Sequence, residues 1–270
     1  MHNYCHLLRF QRTKPGTRHR TAERTAKQTG KLVISISQRR NIITIYKGNF
    51  RYMIEETEKV ISKANQALQT LEKYKKVYDN KLNTLNEYEF NDIVTLDNVI
   101  NCIQRAEMVQ KIAEEVKRNI YELGEDGRLI KMQLEELMGD FELEELLIIK
   151  DYMVPQKRSE AKVLEQIRTL ETEGLIESNR IADLLGYENF ETYEEVAVYT
   201  RGYRILSKIP RVPSNIVANM IKSFKSFQHI LMADIEQLDE VEGIGEVRAK
   251  AIKRSLKRMQ EQFMFDNVML

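Results

Sequence analysis

A chain of 270 residues, 42% hydrophobic and 31% charged, with four Pro and no Trp, is long enough for two or three compact units and has the profile of a helix-rich globular protein. No stretch approaches the roughly 18 apolar residues of a membrane span, and residues 5–10 are too short and too charged for a secretory signal, which predicts a cytoplasmic protein without membrane contact. The two cysteines, Cys5 and Cys102, exclude a disulfide framework and a Cys-rich zinc or iron–sulfur site.

Charge is unevenly placed. Residues 1–51 hold twelve Lys/Arg against Glu23 alone, leaving thirty basic and forty acidic residues over the remainder. Such a block favours phosphates or an acidic partner surface. Residues 1–15 show no periodicity and read as irregular chain. From Thr21, TAERTAKQTG has an N-cap candidate, helix formers and a C-terminal Gly30, predicting a short helix directly after Arg18, His19 and Arg20. KLVISIS and NIITIYKG then alternate as a hairpin turning near Arg39–Asn41. One helix and one hairpin cannot bury a core, so this segment is the tail of a larger α/β unit or packs on something else.

Apolar residues recur at three- and four-residue steps from Ile54 to Leu85. After a polar break over 86–92 they recur again from Leu96 to Ile120. The pattern predicts two long amphipathic helices forming an antiparallel hairpin. Further helices are predicted over 128–138, 141–153, 159–173 and 179–186, separated by Gly and Pro. Thr192 with Glu195 reads as a capping box opening a helix that runs to Leu206.

The C-terminal part repeats itself. LSKIPRVPSNIVANMI and LDEVEGIGEVRAKAI superpose at an offset of 32 residues, pairing Leu206 with Leu238, Ile209 with Val241, Val212 with Ile244, Val217 with Ala249 and Met220 with Ile252. Each copy predicts helix, tight turn with an apolar tip, and second helix. In the second copy, Gly243-Ile244-Gly245 leads into a helix bearing Arg248, Lys250, Lys253, Arg254, Lys257 and Arg258. Glycines allow close backbone approach and a helix start attracts an anion, so Gly243, Ile244, Gly245, Arg248, Lys250 and Lys253 are the candidate DNA-phosphate contacts. The turn resembles the helix-hairpin-helix family, whose backbone contacts position DNA without reading sequence. Pro210 and Pro213 suit the first copy to packing, although Lys208 and Arg211 could still reach a phosphate. A second candidate is Thr17-Arg18-His19-Arg20-Thr21, where guanidinium, imidazole and hydroxyl groups at a helix start could hold a triphosphate.

GTRHRTAER, LVISISQRRNIITIYKGN, RLIKMQLEELM and VEGIGEVRAKAI, in that order, resemble the DisA family of bacterial DNA integrity scanning proteins over residues 16–270. The resemblance implies a mostly α chain: a partial α/β remnant of a diadenylate cyclase domain over 16–52, a helical linker bundle over 53–204, and a tandem helix-hairpin-helix domain over 205–270. In that family the cyclase condenses two ATP into cyclic di-AMP with Mg2+ or Mn2+. The hairpin domain senses branched DNA in a damage checkpoint, the assembly is a homo-octamer, and the location is cytoplasmic and nucleoid-associated. The Arg-His-Arg element that contacts ATP phosphates corresponds to Arg18, His19 and Arg20, flanked by Thr17 and Thr21. The family's cyclase domain carries about a hundred residues before this element, with an Asp-Gly-Ala motif whose Asp binds metal. That motif is absent from the 270 residues, Asp126-Gly127-Arg128 is no substitute, and residues 1–15 do not resemble the family. The expectation is a chain truncated at its N-terminus, with no metal carboxylate and no complete cyclase site, that retains DNA binding. A non-catalytic, structure-selective DNA scaffold is the alternative. A DNA glycosylase using Asp266 is a third reading, disfavoured because little chain follows to enclose a flipped base. His229 reads as a packing residue.

Overall fold

A computed structural model describes residues 16–38, 42–155, 158–188 and 192–265. The segment 1–15, the hairpin turn at Arg39–Asn41 and Asp266 lie outside them. The described chain is mostly helical with one three-stranded sheet, as its sequence implies, and divides into two compact units: residues 1–65 with 118–128, and residues 66–117 with 129–270.

In the first unit, α1 spans Thr17–Thr29 and starts earlier than expected, because the Gly16 carbonyl accepts the Arg20 N–H at 3.2 Å and draws Arg18, His19 and Arg20 into the first turn. It ends at Gly30 in the left-handed region (φ 66°). Strands β1 (Leu32–Ser37), β2 (Ile42–Lys47) and β3 (Phe50–Ile54) form an antiparallel sheet in chain order, with Ile34 opposite Ile45 and Ile45 opposite Tyr52. The third strand corrects the expectation of a helix from Ile54. Gly48 reverses the chain (φ 57°), and Phe50, Tyr52 and Ile54 continue the period-two pattern of β2. One sheet face buries Ser35, Thr44 and Tyr46, with His19 and Ala26 of α1 also buried.

Helices α2 (Thr57–Asn91) and α3 (Leu96–Leu123) form the expected pair. The start of one lies beside the end of the other, since the Glu55 N–H donates to the Glu122 carboxylate at 3.3 Å. The polar stretch 86–91 does not end α2. Asn86 and Glu89 are buried within the second unit, and the helix continues because both side chains find a partner there in Arg204.

In the second unit α4 (Arg128–Met138), α5 (Phe141–Tyr152) and α8 (Ser178–Leu185) follow the predicted spans. The predicted helix over 159–173 divides into α6 (Glu160–Arg168) and α7 (Thr172–Ile176), and the Leu170 carbonyl between them accepts the Lys111 ammonium at 2.7 Å. The helix expected from Thr192 does not form before residue 203. Instead Val196 and Tyr193 offer carbonyls to Leu96 and Asp97 (2.8 and 3.1 Å), satisfying first-turn donors of α3 that no intrahelical partner can reach. Thr95 and Ala197 form an isolated antiparallel bridge.

The chain then forms α9 (Tyr203–Ser207), α10 (Ser214–Phe224), α11 (Phe227–Met232), α12 (Ile235–Asp239) and α13 (Glu246–Phe265). Of the ten positions paired by the 32-residue repeat, nine are buried and Val212 is half-buried in the same core. Phe90 of α2 belongs to that core and meets Phe227 edge-on, 5.2 Å between ring centres.

Two buried polar clusters hold this unit. In one, Arg204 donates to the Asn86 amide oxygen at 2.6 Å and to the Glu89 carboxylate, which also accepts the Tyr152 hydroxyl at 2.6 Å. Asp151 accepts the backbone N–H groups of Tyr203 and Arg204 at 2.6 and 2.9 Å, and burial, aided by Glu89, pushes its carboxyl up to about 7. In the other, Glu107 and Glu145 are both buried. Desolvation and neighbouring Glu145 push Glu107 up to about 9, whereas Arg168, 2.9 Å from Glu145, opposes the rise there.

The raised Glu107 has a signed consequence. Between its ordinary 4.5 and about 9 the folded state holds a proton that the unfolded chain has lost, so stability falls as pH rises through that window. Glu107→Gln fixes the neutral form and removes this contribution, at most about 1.4 kcal/mol per pH unit. Thermal melts from pH 6 to 9 are expected to show a steeper decline for the parent chain than for Glu107→Gln.

Candidate nucleic-acid and phosphate sites

The second helical hairpin opens on a capping box, Asp234 with Gln237, which fixes the entry to α12. Its turn repeats that of the first hairpin bond for bond. Val241 N–H donates to Leu238 as Ile209 does to Leu206, Ile244 to Val241 as Val212 does to Ile209, and Ala249 to Gly245 as Val217 does to Pro213. The left-handed residue also recurs, Arg211 (φ 65°) in one copy and Gly243 (φ 86°) in the other.

The two glycines have different duties. A Cβ on Gly243 would lie 2.4 Å from Ile216 Cδ1, so this glycine serves both the turn and the packing of α10 against it. Gly245 is exposed and has no left-handed backbone; the only atom near its absent Cβ is an Asp239 carboxylate oxygen at 4.0 Å. The backbone that a phosphate can approach is therefore at Gly245, while Ile244 is buried and anchors the tip.

The predicted cations also separate. Lys253 is turned inward, its ammonium 2.6 Å from the carbonyls of both Leu231 and Ala233 at the end of α11. It serves as a C-terminal cap there and does not point outward as expected. Arg248 donates to the Gly243 carbonyl and braces the turn. Lys250 is exposed and pairs with Glu246. Arg254, Lys257 and Arg258 are exposed at i+4, i+7 and i+8 from Lys250, forming one basic stripe along α13 that helical periodicity in the sequence marks out. In the first copy Lys208 is taken by Glu144 at 2.6 Å, and Arg211 is exposed. His229 is exposed, not packed, with Nδ1 2.9 Å from the Phe224 carbonyl.

At the start of α1, Thr17, Arg18, Arg20 and Thr21 are exposed. Thr21 Oγ1 donates to the Thr17 carbonyl at 3.1 Å. His19 is buried, its Nδ1 3.3 Å from the Tyr46 hydroxyl, whose own pKa is raised chiefly by burial. The Arg-His-Arg element thus divides into two outward guanidiniums at a helix N-terminus and an imidazole joined to the sheet. Glu23, one turn further, is paired with Lys27 at 2.7 Å. Among the described residues no three His, Cys, Asp or Glu side chains gather into a metal-binding set. No helix among them is long and apolar enough to cross a membrane.

Comparison with known proteins adds to this geometry. A family model described as the DisA bacterial checkpoint controller linker region matches residues 54–193, and one described as DisA bacterial checkpoint controller nucleotide-binding matches residues 3–50. The second match reaches into the segment that the sequence reading sets apart. Similar curated proteins bear the name DNA integrity scanning protein DisA. That of Clostridioides difficile strain 630 is 49% identical over 258 residues, covering 95% of this chain and 72% of the relative. That of Acetivibrio thermocellus is 50% identical over 252 residues, covering 93% and 70%. That of Carboxydothermus hydrogenoformans is 50% identical over 252 residues, covering 93% and 71%.

The unequal glycines give a stability test. Gly243→Ala must hold an alanine at positive φ and displace Ile216, a loss expected to exceed about 2 kcal/mol, whereas Gly245→Ala costs less than about 1 kcal/mol. Urea denaturation of the two single variants measures the difference.

Proposed function

The chain belongs to the DisA family, and on that premise we propose that it acts as a DNA-structure sensor of a bacterial damage checkpoint, gripping branched DNA by its phosphates through the second of two helix-hairpin-helix motifs. The observation that carries this reading is the exposed turn at Gly245 feeding directly into the basic stripe Lys250, Arg254, Lys257 and Arg258. A turn without a side chain lets a phosphate reach backbone N–H groups at a helix start, and the stripe continues the attraction along the strand. Such contacts are blind to sequence, so selectivity comes from DNA shape. The first hairpin supplies the packing surface, with Pro213 at the place where Gly245 stands in the second. We assign residues 16–52 to the diadenylate cyclase domain, 53–204 to the linker and 205–270 to the DNA-binding domain, in a cytoplasmic, nucleoid-associated homo-oligomer.

The N-terminal element supports phosphate binding more narrowly. Arg18 and Arg20, with Thr17 beside them, can hold a triphosphate at the positive end of α1. His19 acts on this site indirectly, by fixing α1 against Tyr46. Joining the ribose 3′-hydroxyl of one ATP to the α-phosphate of another also requires charge neutralisation and two facing, aligned nucleotides. Neither an Asp-Gly-Ala sequence nor a carboxylate cluster beside α1 is among the groups described above. In this reading the 270-residue polypeptide binds DNA and does not complete the cyclase reaction.

Two experiments test these assignments. Fluorescence anisotropy with a four-way junction is expected to show a log–log salt slope of roughly −3 to −5, from about −0.9 per neutralised phosphate. Gly245→Val, which blocks backbone approach at an open position, is expected to weaken junction binding at least tenfold with the melting curve little changed; equal affinity would place the site elsewhere. Incubation of the 270-residue polypeptide with ATP and Mn2+, followed by chromatography, is expected to yield no cyclic di-AMP. Turnover that is lost in Arg18→Ala and Arg20→Ala would overturn that half of the reading.

A further inference from the structure

The tandem hairpins put most of their apolar side chains into one core, and among their described residues the large ones left exposed are Met232, at the end of α11, and Val247. Val247 is 85% exposed and is the second residue of α13, two positions after the open backbone of Gly245. A single exposed apolar residue is ordinary on a protein surface. What sets Val247 apart is its company. Helical steps of seven and eleven residues bring Arg254 and Arg258 to within about 20° of it around α13, and Lys250 stands one turn away. Ala251, the next turn on the same side, is exposed and offers only a methyl group. The 32-residue offset places Asn215, exposed and polar, at the matching position of the first hairpin. The hairpin whose turn holds prolines thus carries an amide there, whereas the one with an open turn and a basic stripe carries bare methyl groups. Local structure does not call for them, since a first helical turn is better served by Asp, Glu, Ser or Thr than by a β-branched apolar residue.

We propose that Val247 is a specificity-determining contact for branched DNA: the face of an unstacked base at the branch point rests on it, between phosphates held by the Gly245 turn and by the stripe. This deepens the DNA reading above and rests on it. The methyl groups of Val247 can bond neither phosphate nor water, so the one gain open to them is to leave water against carbon. A strand gripped at the turn and again at Lys250 lays the nucleoside between those contacts across Val247. In an intact duplex the base faces are covered by their neighbours, but at a branch the stacking is interrupted and a face is open. The side chain ends one carbon beyond Cβ, too short to pry bases apart as longer apolar wedges do. It can only meet a face that is already bare, and so it favours DNA that is already unstacked, a distinction that phosphate contacts do not make. Being uncharged, it adds affinity without releasing counterions.

The test uses Val247→Thr, which keeps the branched shape and exchanges one methyl for a hydroxyl at an exposed position. Fluorescence anisotropy compares a four-way junction, a duplex with a one-nucleotide bulge and a linear duplex of equal length. The expected result is a loss of about threefold or more on the junction and the bulge, with linear-duplex affinity, salt slope and helical circular dichroism unchanged. An abasic nucleotide in the bulge removes the base and leaves the phosphates, and on it the parent chain and Val247→Thr are expected to bind alike. A loss of the same size on the linear duplex, or one that persists on the abasic bulge, overturns the proposal, because Val247 would then touch the sugar–phosphate strand of any DNA. Gly245→Val is measured alongside. If it weakens all three DNAs while Val247→Thr binds as the parent does, this inference falls and the DNA reading stands; if Gly245→Val also binds as the parent does, both fall.

Discussion

Arg204 is wholly buried, and a guanidinium cannot leave water without acceptors held in place to receive it. Those acceptors come from far along the chain: Asn86 and Glu89 from α2, with Tyr152 of α5 steadying Glu89 from the other side. Asp151 of α5 meanwhile satisfies the first N–H groups of α9, the entry to the tandem hairpins. Arg201, three residues earlier, ties the carbonyls of Lys150 and Met153 at 2.6 Å each, and Gln228 reaches back to the Glu89 carbonyl at 2.6 Å. The helices that meet here are thus tied together by buried hydrogen bonds running from α2 and α5 to the start of α9 and to α11. Such an ion pair adds little net stability, because desolvation consumes most of the Coulombic gain. Loss of one member leaves its partner charged and buried, at about 3–5 kcal/mol. The network therefore sets geometry: α9 can begin in one place and one direction only.

That constraint explains how the repeat is used. With α9 fixed at Arg204 and Phe90 of α2 inserted among the hairpin side chains, the first hairpin is the base on which the second is mounted. Asn219 of α10 holds the Glu242 carbonyl at 3.0 Å, and Ile216 fills the space beside Gly243. Lys253 closes α11 onto α13. The backbone plan is the same twice, but the second copy leaves four cations exposed along α13, Lys250, Arg254, Lys257 and Arg258, whereas the first offers the exposed Arg211 and a Lys208 already paired with Glu144.

Much of this was legible in the sequence. Three- and four-residue steps located α2 through α5 and α8, the 32-residue offset found both hairpins and their core, and the ordered motifs led to the DisA family, which the comparisons bear out. The errors share a cause: local pattern cannot see a distant partner. Asn86 and Glu89 looked like a helix break because their acceptor role depends on a residue more than a hundred positions away. Thr192 and Glu195 have the letters of a capping box, but the carbonyls of Tyr193 and Val196 are committed to α3. Ile54 fits both a helical stripe and a strand alternation, and only pairing with Ile43 decides it. Lys253 is one of several cations along α13, and its inward direction depends on where α11 ends. His19 was grouped with its arginine neighbours by adjacency, although a helical step of 100° sends it the other way.

The paired left-handed residues carry an implication for how the domain can diverge. Arg211 shows that the turn tolerates a side chain when nothing stands above it, whereas at Gly243 the Ile216 methyl group occupies that volume. Any replacement of Gly243 must therefore be preceded or accompanied by a smaller residue at 216, a change that itself opens a cavity in the buried hairpin core. The two positions form an ordered genetic path: the first hairpin's turn is free to drift by single steps, while the second's is locked by a neighbour in the other copy, so an ancestor with two equal turns would lose its symmetry from the first hairpin onward.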